Sequence, residues 1–228
     1  MRLLGVAVEV ERSWLVTLVA LTLAFAWSAQ ALLGELTAAS ALLLGAAVAL
    51  ALSGSLLVHE LAHAVAARRA GVEVESIRLF AGGAATRRRS AIPEARDQFN
   101  VAAAGPVTSV ALAVLVLALG VTIEVLGLSS ALSAALWFVA FANVLVAISN
   151  MLPIFPFDGG KVLHALVWNS TGDRDTATAR MRRGGREFSR IVVSLGILTI
   201  AWAGDLLIGL VIAVFGIWLM FLPAPPSG

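Results

Sequence analysis

The chain has 228 residues, 60% of them hydrophobic and only 13% charged, with a mean hydropathy of +0.94. Its apolar runs are far too long for the core helices of a soluble domain, which excludes a water-soluble globular fold. The absence of cysteine excludes a disulfide framework and thiolate metal ligands, and the arginines behind the net charge of +2 sit in short loops, a membrane pattern and not a nucleic-acid surface.

Residues 5–12 alternate, with Val6, Val8 and Val10 on one side and Ala7, Glu9 and Glu11 on the other, which predicts a strand just ahead of the membrane. A first span follows over about 13–33, with Trp14 at the interface and no small-residue cleavage site, so it reads as a retained span and not a signal peptide. The second span, about 36–67, is longer than a bilayer needs and must tilt or protrude.

Near the end of that second span stands Val58-His59-Glu60-Leu61-Ala62-His63. On a helix, positions four apart share a face, so both imidazoles can hold one metal ion. Glu60 is turned about 100° away but stays close enough to take a proton from a water at the metal. This H-E-x-x-H pattern is the signature of a zinc hydrolase, and ionisable residues in an apolar run are costly unless they do something.

Residues 72–90 do not read as a helix. Val72 to Glu75 alternate, Ile77 to Phe80 continue extended, and Gly82-Gly83 supply a turn, which predicts a β-hairpin at the membrane surface beside the metal. A third span covers about 98–126, and Pro106 near its start suits a first turn or a kink. The fourth, about 131–152, carries Asn143 and Asn150 and breaks at Pro153 and Pro156 before Phe157-Asp158-Gly159-Gly160. Such non-helical backbone at membrane depth is tolerated only where protein or a water-filled cavity surrounds it. A short amphipathic piece over 161–168 and a polar loop over 169–190 come next. Two shorter spans, about 188–203 and 206–222, form a tight hairpin or a re-entrant pair, and 223–228 read as a linker-like tail or the cut end of a longer chain. The expected class is an all-α polytopic membrane protein of about six transmembrane helices with a small membrane-associated β-sheet, residues 1–222 forming one transmembrane domain.

Topology follows from the arginines. Arg2 and Arg12 precede span 1, seven arginines lie between spans 2 and 3, and six with Lys161 lie between spans 4 and 5, while the other turns carry none. That partition places both termini in the cytoplasm and the metal motif toward the cytoplasmic side. The arginine and alanine bias points to a GC-rich prokaryotic genome, and hence to a plasma (inner) membrane.

A catalytic zinc usually has three protein ligands and one open position. Candidates for the third are Asp158, His164, Glu73, Glu75 and Asp97; Asp158 is preferred because it follows a broken helix on the same side, against the plain reading of an Asp-Gly turn. His164 more commonly represents a packed or surface histidine. Asn150 either donates to a substrate carbonyl or bonds between helices, and Asn143 leans to the latter.

With these residues in view, the chain resembles the site-2 protease family of intramembrane zinc metalloproteases. The resemblance rests on Val58-His59-Glu60-Leu61-Ala62-His63-Ala64, on Ala104-Gly105-Pro106, and on Asn150-Met151-Leu152-Pro153 through Asp158-Gly159-Gly160. The family's second motif often has Leu before the Asp, where this chain has Phe157. The resemblance implies His59, His63 and Asp158 as ligands of one Zn²⁺, Glu60 as general base and acid, Asn150 as a substrate-positioning residue, and the Gly82-Gly83 hairpin as a strand edge that pairs with unwound substrate. It implies single-span membrane regulators as substrates, in regulated intramembrane proteolysis, with the lipid bilayer as environment. No loop has room for a PDZ domain, and the 228 residues of this chain include no CBS pair. The competing reading is a non-hydrolytic membrane metal-binding protein or transporter, which has no need of a base next to a ligand.

Overall fold

A computed structural model of the chain describes residues 2–34 and 36–222. The elements in order are β1 (Arg2–Leu3), β2 (Val6–Val10), α1 (Arg12–Leu33), α2 (Ala38–Arg69), β3 (Val74–Phe80), β4 (Gly83–Arg88), α3 (Ala95–Val125), α4 (Ser130–Asn150), α5 (Asp158–Thr171), α6 (Arg174–Leu198), a π-helical turn (Thr199–Ala203) and α7 (Leu206–Met220). Among the described residues four helices, α1 to α4, are long and apolar enough to cross a membrane, and α7 is a shorter apolar helix. Their outward faces carry exposed Leu43, Val114, Leu115 and Phe141, as expected of surface that meets lipid. This is a mostly helical multi-pass membrane protein with one small sheet.

The chain divides into two compact units. The first comprises Met1–Pro93 and Ala103–Ser149; the second comprises Glu94–Ala102 and Asn150–Gly228.

In the first unit, α1 and α2 run close together because Gly45 meets α1 without a side chain: a Cβ there would stand 2.4 Å from the Thr22 carbonyl oxygen and 2.8 Å from the Ala26 nitrogen. Small residues of this kind let helix backbones approach where no hydrophobic gain drives association. Val48 and Leu52 of α2 pack with Ala135 and Val139 of α4, and Phe25 meets Phe138 edge-on at 5.9 Å. Helix α2 has 32 residues, about 48 Å of length. That exceeds the roughly 30 Å hydrocarbon layer, so one end stands proud of it.

The four strands form a single sheet in the order β1-β2-β3-β4. The expected hairpin is β3–β4, antiparallel, with Phe80 opposite Gly83 across Ala81-Gly82. The N-terminal strand joins the same sheet: β2 lies parallel to β3, with Val8 opposite Ile77. Parallel pairing needs a long crossover, and here the crossover is two membrane helices. Val6 and Ile77 point inward onto Ala64, with Leu57, Leu61 and Val74 around them. On the outer face Arg78 pairs with Glu11 and approaches Glu9.

Of the two places expected for Pro106, a first turn or a kink, the first turn is not the one taken: the residue stands well inside α3. A kink-prone interior proline is tolerated in membrane helices because neighbouring groups re-satisfy the freed carbonyl.

In the second unit, the segment 151–157 is irregular and α5 begins at Asp158. The polar loop expected over 169–190 is instead mostly helix: α5 continues to Thr171 and α6 starts at Arg174. Asp173 caps α6, its carboxylate accepting from the backbone N–H groups of Asp175 and Thr176. These bonds, with that from the Thr176 hydroxyl first among them, hold the Asp173 carboxyl below its usual range. Ala177, Thr178, Met181, Gly185 and Ser189 are buried at helical spacing, so an apolar stripe runs beneath the arginines. The end of α6 packs against α7, with Gly196 directly against the backbone of Gly209 and Ala213.

Candidate active site

His59 and His63 lie on the buried side of α2, 2% and 7% exposed. Their Nε2 atoms converge to 3.2 Å, with the rings near-perpendicular at 80°. Two nitrogens sharing one tetrahedral zinc stand about 3.3 Å apart, so the separation suits a shared ion. His59, Glu60 and His63 offer ligand atoms within 4.8 Å of one another, and they are the metal-capable group found among the described residues.

Two features of α3 shape this pair. Ser109 is fully buried, and its Oγ lies 2.8 Å from His59 Nδ1. A serine oxygen can accept Nδ1–H, which leaves the Nε2 lone pair for a metal. Gly105, one turn earlier on the same face, sits flush against both rings: a Cβ there would be 2.3 Å from His63 Nε2 and 2.5 Å from His59 Nε2. The donor set, its spacing, the bond behind it and the cleared volume together fit a zinc ion.

Glu60 is half-buried, and its carboxylate reaches the sheet. Its Oε2 accepts a hydrogen bond from the Thr86 hydroxyl of β4 at 2.6 Å. Gly82 and Gly83 form the hairpin end of the same strand pair, Gly83 with φ +124°.

Asn143 is buried and bridges two spans, its Nδ2 donating to Ser55 Oγ at 3.1 Å and to the Val139 carbonyl at 2.8 Å. That is the interhelical role expected of it.

Asp158 and Asn150 belong to the second unit. Asp158 is buried as the first residue of α5, with Lys161 Nζ 2.8 Å from its Oδ1. The two glycines after it are sterically required: a Cβ on Gly159 would stand 2.2 Å from the Met151 carbonyl oxygen, and one on Gly160 2.5 Å from the Ile154 carbonyl carbon. Asn150 closes α4.

His164, the competing ligand candidate, has both ring nitrogens engaged. Gln98 Nε2 donates to its Nδ1 at 2.8 Å, so Nε2–H donates to Thr178 Oγ1 at 3.0 Å. Phe155 and Trp168 enclose the ring. Burial first, and then the Arg174 charge, lower its pKa and keep it neutral. It is a packing residue that ties α5 to α6 and to the start of α3.

Sequence reasoning missed Ser109 and Thr86. Ser109 left one signal, its four-residue spacing from Gly105 on one face of α3. Nothing local in β4 pointed to Glu60.

Peptidase family M50 matches this chain over residues 47–132 and 127–193, which include the His59–His63 motif and Asp158. The protein named "Putative zinc metalloprotease Rip3" of Mycobacterium tuberculosis is 37% identical over 223 residues, 98% of this chain and 56% of that protein. A Synechocystis protein, "Putative zinc metalloprotease sll0528", is 34% identical over 202 residues, 87% of this chain and 51% of its own length. This chain thus spans about half the length of the curated relatives it matches. Among solved structures, the site-2 protease from Methanocaldococcus jannaschii shares the fold, with a TM-score of 0.55 at 18% identity, over all of this chain and 96% of that one. The motif on α2, the helical membrane fold and the family match agree, and the chain belongs to peptidase family M50.

Proposed function

We propose that the protein is an intramembrane zinc metalloprotease that cuts peptide bonds within or near the membrane segments of single-span, membrane-tethered regulatory proteins. The observation that carries this reading is the convergence of His59 and His63 Nε2 at 3.2 Å with Glu60 beside them, on a helix long and apolar enough to span a bilayer. The names of the matched relatives support the metal and the reaction.

His59 and His63 hold the ion in this reading, and Asp158 is the third ligand by its motif. Zinc, when bound, supplies a Lewis acid that polarises the scissile carbonyl and acidifies a water. Glu60 takes the proton from the attacking water on a carboxylate oxygen and delivers it to the departing amine nitrogen. Asn150 donates its amide to a substrate carbonyl. A membrane helix hides its peptide bonds, so the substrate must unwind; the hairpin around Gly82 and Gly83, with β4 at the sheet edge, is where an extended segment adds as a further strand. The arginine partition supports cytoplasmic termini, a cytoplasm-facing site and residence in a prokaryotic plasma membrane.

The alternative, a metal carrier without hydrolase activity, leaves the engaged Glu60 carboxylate without a task. The test is zinc content of purified protein together with cleavage. We expect about one zinc per chain, lost in His63→Ala, reduced in Asp158→Ala and kept in His164→Ala. Glu60→Gln keeps the metal and loses cleavage. Full cleavage by Glu60→Gln sinks the protease reading, and metal flux into liposomes that survives this substitution establishes the carrier.

A further inference from the structure

Strand β4 does more than border the site, because it reaches the base directly. Thr86 pairs with Ile77 across the β3–β4 ladder and so shares the inward face of the sheet. Ile77 is fully buried against Ala64, Leu57 and Leu61 of α2, residues that lie within the His59–His63 motif or just beyond its two ends. From this face the Thr86 hydroxyl meets Glu60 twice, 2.6 Å from carboxylate Oε2 and 3.2 Å from the backbone carbonyl oxygen. A hydroxyl has one hydrogen, and the shorter contact to the charged carboxylate takes it.

The consequence is orientation. A glutamate has three rotatable bonds, and on a helix surface nothing intrinsic holds it in one rotamer. Threonine is stiff at χ1 because it is branched at Cβ, so a bond from Thr86 fixes the carboxylate relative to the strand. Oε2 is then occupied, and Oε1, which has no hydrogen bond or ion pair among the described residues, is the oxygen left to carry a proton.

Resting on the protease reading above, we infer that Thr86 is a positioning residue for Glu60, and that through it β4 couples occupation of its outer edge to the base. β4 is the terminal strand of the sheet. A substrate strand added along it restrains the backbone of residues 83–88, and thereby holds Thr86 and the Glu60 carboxylate in place. The Thr86–Glu60 bond is present in the free chain, and an engaged hairpin holds it more firmly.

The experiment uses the full chain in detergent micelles, with fluorescein-labelled casein as the extended-peptide probe and hydrogen exchange on residues 83–88 as a readout independent of turnover. Variants are Thr86→Val, Thr86→Ser, Glu60→Gln and Glu60→Ala, each checked for zinc content. Thr86→Val is expected to lower kcat about ten-fold at unchanged KM and unchanged zinc, while Thr86→Ser stays within about two-fold of wild type. Thr86→Val and Glu60→Ala each speed exchange in β4, and the double variant exchanges no faster than either. Saturating casein slows exchange in β4 of the wild type and less so in Thr86→Val. The inference is overturned if Thr86→Val cleaves like wild type, if Thr86→Ser falls as far as Thr86→Val, or if neither substitution alters exchange in β4. Loss of the protease reading shows separately, as casein cleavage that survives Glu60→Gln or is absent from zinc-loaded wild type; the exchange readout then decides the contact by itself.

Discussion

Ser109 Oγ stands 2.8 Å from His59 Nδ1, fully buried, on the side of the imidazole away from its partner histidine. Groups behind a metal-binding histidine set its tautomer and ring angle, and removing one typically costs 10- to 100-fold in metal affinity. Ser109→Ala is therefore expected to weaken zinc binding by about ten-fold or more at unchanged fold. Ser109→Thr, which keeps the hydroxyl, recovers most of it. A competition titration against a chromophoric chelator checks this, and equal affinity for Ser109→Ala and wild type defeats it.

Gly105 supports the same pair by having no side chain. A Cβ at 2.3 Å and 2.5 Å from the two donor nitrogens is far inside contact distance, so either ring must turn or α3 must move away from α2. Gly105→Ala is expected to lose stoichiometric zinc while retaining the helical circular-dichroism signal. Elemental analysis of the purified variant gives the answer; a full zinc complement shows that the helices separate without cost.

His164 makes a prediction about stability and not about chemistry. Replacing it with leucine leaves one N–H of the Gln98 amide, whose other donates to the Lys161 carbonyl, and the Thr178 hydroxyl unpaired in buried surroundings, at a cost of about 2 kcal/mol. Zinc content is expected to stay unchanged. A lowered melting temperature with full zinc supports the packing role, and loss of zinc refutes it.

The same histidine sets a pH dependence. Its folded-state pKa lies below the ordinary 6.5, so between the two values the unfolded chain binds the proton and the folded chain does not. Stability is therefore expected to fall as pH drops below about 6.5 and to level off once pH is under the folded pKa. His164→Gln flattens that limb of the melting-temperature profile. An unchanged acid limb in the variant assigns the dependence to other groups.

At the start of α6, Asp173 satisfies two backbone N–H groups that the helix cannot. Asp173→Ala is expected to speed hydrogen exchange over the first turns of α6 without affecting α7. Uniform exchange across both helices contradicts a local cap.

What could be read from the sequence alone was whatever is encoded within one element. The His59–His63 pair needs only helical periodicity, because residues four apart share a face whatever the helix packs against. The long spans follow from apolar length, and the β3–β4 hairpin from alternation broken at Gly82-Gly83. Helix α6 was hidden because its arginines dominate the composition of 174–190, while the stripe that buries it consists of small residues such as Ala177, Gly185 and Ser189 that carry little hydrophobic signal. The tertiary structure decided what depends on contacts far apart in the chain. Examples are the parallel register of β2 on β3, Ser109 behind His59, Gly105 against both rings, and Thr86 on Glu60. No local propensity specifies such contacts; they exist because packed helices and a sheet laid on α2 bring those side chains within bonding distance.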